Sequence, residues 1–104
     1  LGDLEKAKKF LERSILLDPQ SPNALLSLAI TYHISRDLKK ERPVLLKLLE
    51  ITPENPQVLR LGVQVAGILK DKKMTNQVLT LMEKYNKEAL PLAKKFIDNA
   101  LKAN

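Results

Sequence analysis

Cysteine and tryptophan are missing from this chain, glycine occurs three times, and phenylalanine and tyrosine occur twice each. Without cysteine there is no disulfide, no thiolate nucleophile and no thiolate zinc site. The compartment stays open, because such a chain survives in reducing and oxidising surroundings alike. No apolar run reaches the roughly 18 to 20 residues that cross a bilayer, and the start Leu1-Gly2-Asp3-Leu4-Glu5-Lys6 lacks the basic-then-apolar pattern of a signal peptide. A soluble protein is expected, with the cytoplasm as the default location. Low glycine beside 29% charged residues, with no polar low-complexity tract, excludes general disorder and floppy linkers. The 104 residues are 44% hydrophobic but only 4% aromatic, which suits one modest core of Leu, Ile, Val and Ala between packed helices in a single domain.

Proline punctuates what is there. Asp18-Pro19-Gln20-Ser21-Pro22 is echoed by Thr52-Pro53-Glu54-Asn55-Pro56, 34 residues on. The same offset relates Asp3 to Asp37 and Asp71, Leu11 to Leu45 and Leu79, Leu25 to Leu59, and Ile34 to Ile68. A repeat of this length points to a pair of helices as the unit. Ser21 and Asn55 read as N-caps, with Pro22 and Pro56 at the first helical position, where no amide hydrogen is needed.

Helices near 22–35 and 56–69 follow, because Leu25, Leu28, Ala29 and Tyr32, then Leu59, Gly62, Val63 and Ala66, recur at helical spacing. An earlier helix from about Asp3 to Leu17 presents Leu4, Ala7, Leu11, Ser14 and Ile15 on one face, with Phe10 and Leu17 beside it. It begins midway through a repeat, which favours a fragment of a longer protein. Pro43 is expected to delay the helix between the two proline pairs until about Arg42 or Pro43, since an interior proline costs about 3 kcal/mol. Two further helices are expected, near Thr75 to Tyr85 and Glu88 to Ala103. The last has a dry face of Ala93, Phe96, Ile97, Ala100 and Leu101 and a wet face of Lys94, Lys95, Asp98, Asn99 and Lys102, which suits a capping helix.

The stretch Gly2-Asp3-Leu4-Glu5-Lys6-Ala7 through Ser14 to Asp18-Pro19 resembles the second helix of a tetratricopeptide repeat, with Ala7 and Ser14 as its small packing residues. Leu25, Leu28, Ala29 and Tyr32 resemble the first helix of that family's unit. Glu41 and Leu48 depart from it, standing where the family prefers alanine. The resemblance implies an all-α, right-handed helical-repeat solenoid of antiparallel helix pairs, about six helices in all. Residues 2–21 would be the second helix of a truncated repeat, 22–55 a repeat, 56–87 a divergent repeat and 88–104 the capping helix. It also implies a protein-binding scaffold with a concave groove, whose positions here are Asn23, Leu26, Ile30 and His33, then Gln57, Arg60, Gln64 and Gly67. Leu26 and Ile30 would anchor an amphipathic helix or an extended peptide, Arg60 would take a carboxylate or carbonyl, and Gly67 would admit a ligand backbone. A clamp for a carboxy-terminal tail is not expected, because Leu26, Ser27, Ile30 and Leu61 occupy that surface and only Arg60 is cationic. Covering of Leu26 and Ile30 by another part of a longer chain, or by the capping helix, is the competing reading.

A second surface is electrostatic. Net charge is +6, and Arg36 and Lys70, then Lys39 and Lys73, recur at the repeat offset, joined by Lys40, Arg42 and Lys72. Such a basic edge attracts an acidic protein, an anionic lipid surface or a nucleic acid. Turns are also where solvated lysines ordinarily sit, and Lys outnumbers Arg 14 to 4, which suits solubility more than the reading of phosphate geometry. A structural or self-association role is a third possibility. Catalysis has little to work with: His33 is the lone histidine, there is no Gly-rich phosphate loop, and Glu41, Glu50, Glu54, Glu83 and Glu88 are scattered among lysines without metal-ligand spacing. No enzyme activity, cofactor or metal is expected.

Overall fold

A computed structural model describes residues 2–103, and their regular structure is helical throughout. The elements are α1 (Gly2–Leu17), α2 (Pro22–Ile34), α3 (Leu38–Ile51), α4 (Pro56–Ile68), α5 (Lys72–Tyr85) and α6 (Leu90–Lys102), with a 3-10 turn at Lys87–Ala89. They gather into two compact units, Leu1–Ile51 and Thr52–Asn104. In the first, α2 packs between α1 and α3; in the second, α4 packs against both α5 and α6.

The starts of α2 and α4 are as the proline pairs predict. The Ser21 hydroxyl accepts the Ala24 N–H at 3.3 Å, and Asn55 Oδ1 accepts those of Gln57 and Val58 at 2.9 and 3.3 Å. A side-chain cap of this kind contributes about 1 kcal/mol. Both helices end in the same two-bond turn. After α2, Arg36 N–H donates to the His33 carbonyl and Asp37 N–H to that of Tyr32; after α4, Lys70 N–H donates to Gly67 and Asp71 N–H to Ala66. This is the Schellman pattern, whose pivot residue is left-handed and is commonly glycine. Here the pivots are Arg36 and Lys70, at φ of 60° and 55°, so each turn carries a side chain where glycine would be favoured by about 1 kcal/mol.

Helix α3 departs from expectation. It starts at Leu38, well before Pro43, which lies inside it. Pro43 removes one ladder bond and its exposed ring faces water. The first turn is held by its own opening bond, the Glu41 N–H on the Asp37 carbonyl at 3.0 Å, and from outside by the Glu41 side chain on His33 of α2. Helix α5 likewise begins earlier than Thr75, because Asp71 caps it through the Met74 N–H at 3.0 Å. The last helix begins at Leu90, later than Glu88, since the 3-10 turn occupies the preceding residues.

The core stripes are those of the sequence pattern. Leu25, Leu28, Ala29 and Tyr32 are buried in the first unit, and Leu59, Gly62, Val63 and Ala66 in the second. Gly62 sets the spacing of α4 on α5, since a Cβ there would lie 3.1 Å from Val78 Cγ2. Helix α1 differs from all the other α-helices in having no buried residue. Its stripe of Leu4, Ala7, Leu11 and Ile15 is half-buried, while Leu16 and Leu17 are 81% and 89% exposed. It is tied to α2 by the Tyr32 hydroxyl, which donates to Glu12 Oε2 at 2.5 Å. Burial and the Glu12 carboxylate both push the Tyr32 phenol well above its ordinary range.

Candidate partner-binding site

In the first unit, the groove residues of the sequence reading all lie on α2. Asn23 is exposed, and Leu26, Ile30 and His33 are half-buried. His33 is engaged inside the unit: its Nδ1 lies 2.9 and 3.1 Å from the two carboxylate oxygens of Glu41 on α3. Glu41 itself is wholly buried, not a surface carboxylate. Burial raises its pKa above the ordinary carboxylate value, and His33 pulls in the opposite direction. The sequence signal for this pair is register. Glu41 stands 34 residues after the small packing residue Ala7, so a long acid there has to find a partner on the helix it presses against.

In the second unit, an open cleft of about 360 Å³ is lined by Pro56, Arg60, Val63 and Gln64 of α4, by Met82 and Asn86, and by Ala89, Leu92, Ala93 and Phe96. Two predicted residues, Arg60 and Gln64, share this cleft. Gln57 and Gly67 do not line it. Arg60 is exposed and Leu92 is 75% exposed, whereas Met82 and Ala93 are buried. The result is an apolar floor with a guanidinium and an amide along one wall. Such a shape takes an apolar anchor below and a carboxylate or carbonyl at the edge.

Gly67 does not admit a ligand. It is buried beneath α6: a Cβ there would lie 2.9 Å from Phe96 Cε2 and 3.2 Å from the Ala100 Cβ. The gap left by its missing side chain is filled by the chain's own Phe96. Leu61 is also buried rather than on the surface. Leu92 and Phe96 line the cleft without having been read as site residues; Phe96 was legible only as part of the dry face of α6.

Of the basic residues, Arg36, Lys39 and Lys40 are exposed in the first unit and Arg42 is half-buried; Lys70, Lys72 and Lys73 are exposed in the second. Lys40 approaches Asp37 at 3.9 Å, and Lys70 donates to the Ala103 carbonyl. Among the described residues there is no group of three or more His, Asp or Glu arranged for a metal, and no helix is long and apolar enough to cross a membrane.

With six α-helices among the described residues, and caps and turns repeating at 34 residues, the fold is all-α and consists of tetratricopeptide-like helix pairs. The tetratricopeptide repeat family model matches residues 1–21, the segment whose residues carry the resemblance most fully. Neither a curated protein nor a solved structure matches the chain. The matched family is in general a non-catalytic protein-interaction repeat.

Proposed function

We propose that this chain is a non-catalytic scaffold that holds a segment of another protein, and that the cleft beside Arg60 and Gln64 is where an apolar side chain of that segment seats. The observation that carries the reading is the cleft itself: apolar side chains of three helices converge on it, and the only full charge among its lining residues is that of Arg60. An amphipathic helix or an extended peptide with an apolar anchor and a nearby acidic group fits this arrangement, apolar burial giving affinity and Arg60 giving orientation.

Selection from a random peptide library tests this, with binders competed against a Leu92→Asp, Arg60→Glu variant. Enriched peptides should carry a large apolar residue close to an acidic one. They should bind the variant at least tenfold more weakly, a loss of about 1.4 kcal/mol or more. Peptides that bind both proteins alike would move the site away from the cleft.

A further inference from the structure

The ends of the two long hairpins share a feature that neither packing nor the cleft requires. Ile34 at the end of α2 and Ile68 at the end of α4 are 62% and 53% exposed. Each is followed by a left-handed cation, Arg36 or Lys70, and then by two exposed lysines at the start of the next helix: Lys39 and Lys40, or Lys72 and Lys73. One aspartate stands among them in each turn, and both are occupied: Asp37 is near Lys40, and Asp71 caps the Met74 amide. Arg36, Lys39, Lys72 and Lys73 have no ionic partner among the described residues.

Two independent facts set these turns apart from ordinary solvated corners. The isoleucines are β-branched aliphatics placed in water at the same register in both units, beside charge. The pivots are cations held at a backbone position where glycine is easier, and strain of this kind is retained where the side chain has a use. No aromatic residue lies in either turn, so stacking on nucleic-acid bases has no platform there. Exposed aliphatics ringed by lysine and arginine match an anionic bilayer instead, whose headgroups attract the cations while the boundary beneath them accepts the apolar side chain.

We infer that each hairpin end is a peripheral contact for an anionic lipid surface, with Ile34 and Ile68 as shallow apolar anchors and Arg36, Lys39, Lys72 and Lys73 as headgroup contacts. None of these residues lines the cleft.

Sedimentation of the full chain with phosphatidylcholine vesicles containing about one third phosphatidylserine tests it, at about 0.1 M salt, where charges are screened beyond roughly 10 Å. The anionic vesicles should bind and pure phosphatidylcholine vesicles should not. The charge-neutral double variant Ile34→Ser, Ile68→Ser should bind about tenfold more weakly. Arg36→Gly should raise the thermal midpoint, by relieving the left-handed backbone, yet weaken binding severalfold; a purely structural residue would not move the two readouts in opposite directions. No binding to anionic vesicles overturns the proposal, and so does undiminished binding by the isoleucine variant. Tighter binding to a duplex oligonucleotide than to vesicles also overturns it and assigns the cations to nucleic acid.

Discussion

The hairpins α2–α3 and α4–α5 have the same backbone and different fillings. Each opens on an asparagine or serine cap with a proline behind it, and each turns through a left-handed cation into an aspartate. They differ at many equivalent positions, and one pair of these lies where the two helices of each hairpin face each other near the turn. In the first unit the pair is His33 and Glu41, joined by their side chains across the two helices. In the second it is Gly67 and Thr75, with no bond between them: Gly67 is covered by Phe96 of α6, and the Thr75 hydroxyl is buried without a hydrogen-bond partner. A repeat thus fixes helix ends and core stripes while leaving the lateral seam free to vary. The first seam is closed by a polar lock between two helices. At the second, an aromatic ring from a third helix lies over Gly67 and also contributes to the cleft. The cleft lies in the unit whose seam residue has no side chain of its own.

Removing the lock should produce the largest effect. His33→Ala leaves a buried carboxylate without its partner, and a loss of about 2 to 3 kcal/mol is expected near neutral pH in urea denaturation. That is below the 3 to 5 kcal/mol of a fully buried pair, because the imidazole is 30% exposed. Adding Glu41→Thr, which copies residue 75, should recover much of the loss, since the stranded charge is gone. If the second substitution deepened the loss instead, the pair would not be the element that distinguishes the units.

The seam of the second unit should respond to volume instead of charge. Gly67→Val pushes a branched side chain into space held by Phe96 and Ala100. Overpacking of this kind costs about 1 to 3 kcal/mol, and Phe96→Ala in the same chain should return part of it. A Gly67→Val protein as stable as wild type would mean that α6 lifts away from α4 at no expense, and that Phe96 does not define the cleft wall.

Much of this frame was legible in the residues. Proline pairs and caps located α2 and α4 because proline and N-cap chemistry is local, and the core stripes were legible because burial follows helical period. Register gave the recurrence of Arg36 with Lys70, but not their left-handed backbone, since sequence rules expect glycine there. Pro43 misled because local propensity favours a late start, whereas the tertiary contact from Glu41 to His33 holds the first turn of α3 in place. Gly67 misled in the other direction. A glycine on a helix face reads as open space, and only α6, distant in sequence, shows that the space is filled. Of the predicted groove, Arg60 and Gln64 emerged in one cleft, while the rest of its apolar lining came from residues such as Met82, Leu92 and Phe96, whose convergence depends on how α4, α5 and α6 pack.

The smallest predicted effect is on acidity, and it separates the two hairpins without disturbing either. Burial raises the pKa of Glu41 above that of the same group in the unfolded chain, against the opposing pull of His33. For an acid, this means the folded state keeps its proton at a pH where the unfolded state has released it. The linked stability is therefore present below the unfolded carboxylate pKa and is lost as pH rises through the higher folded value, after which it changes no further. Glu41→Gln keeps the shape and an acceptor for His33 but cannot ionise. The variant and wild type should converge in stability at acid pH and separate as pH rises, with the glutamine protein the more stable. Thr75, at the equivalent position of the second unit, has no ionisable group, so Thr75→Val should shift stability by the same amount at every pH. Parallel curves for Glu41→Gln and wild type would mean that Glu41 reaches water on folding, and the contrast between a charged seam and an uncharged one would collapse.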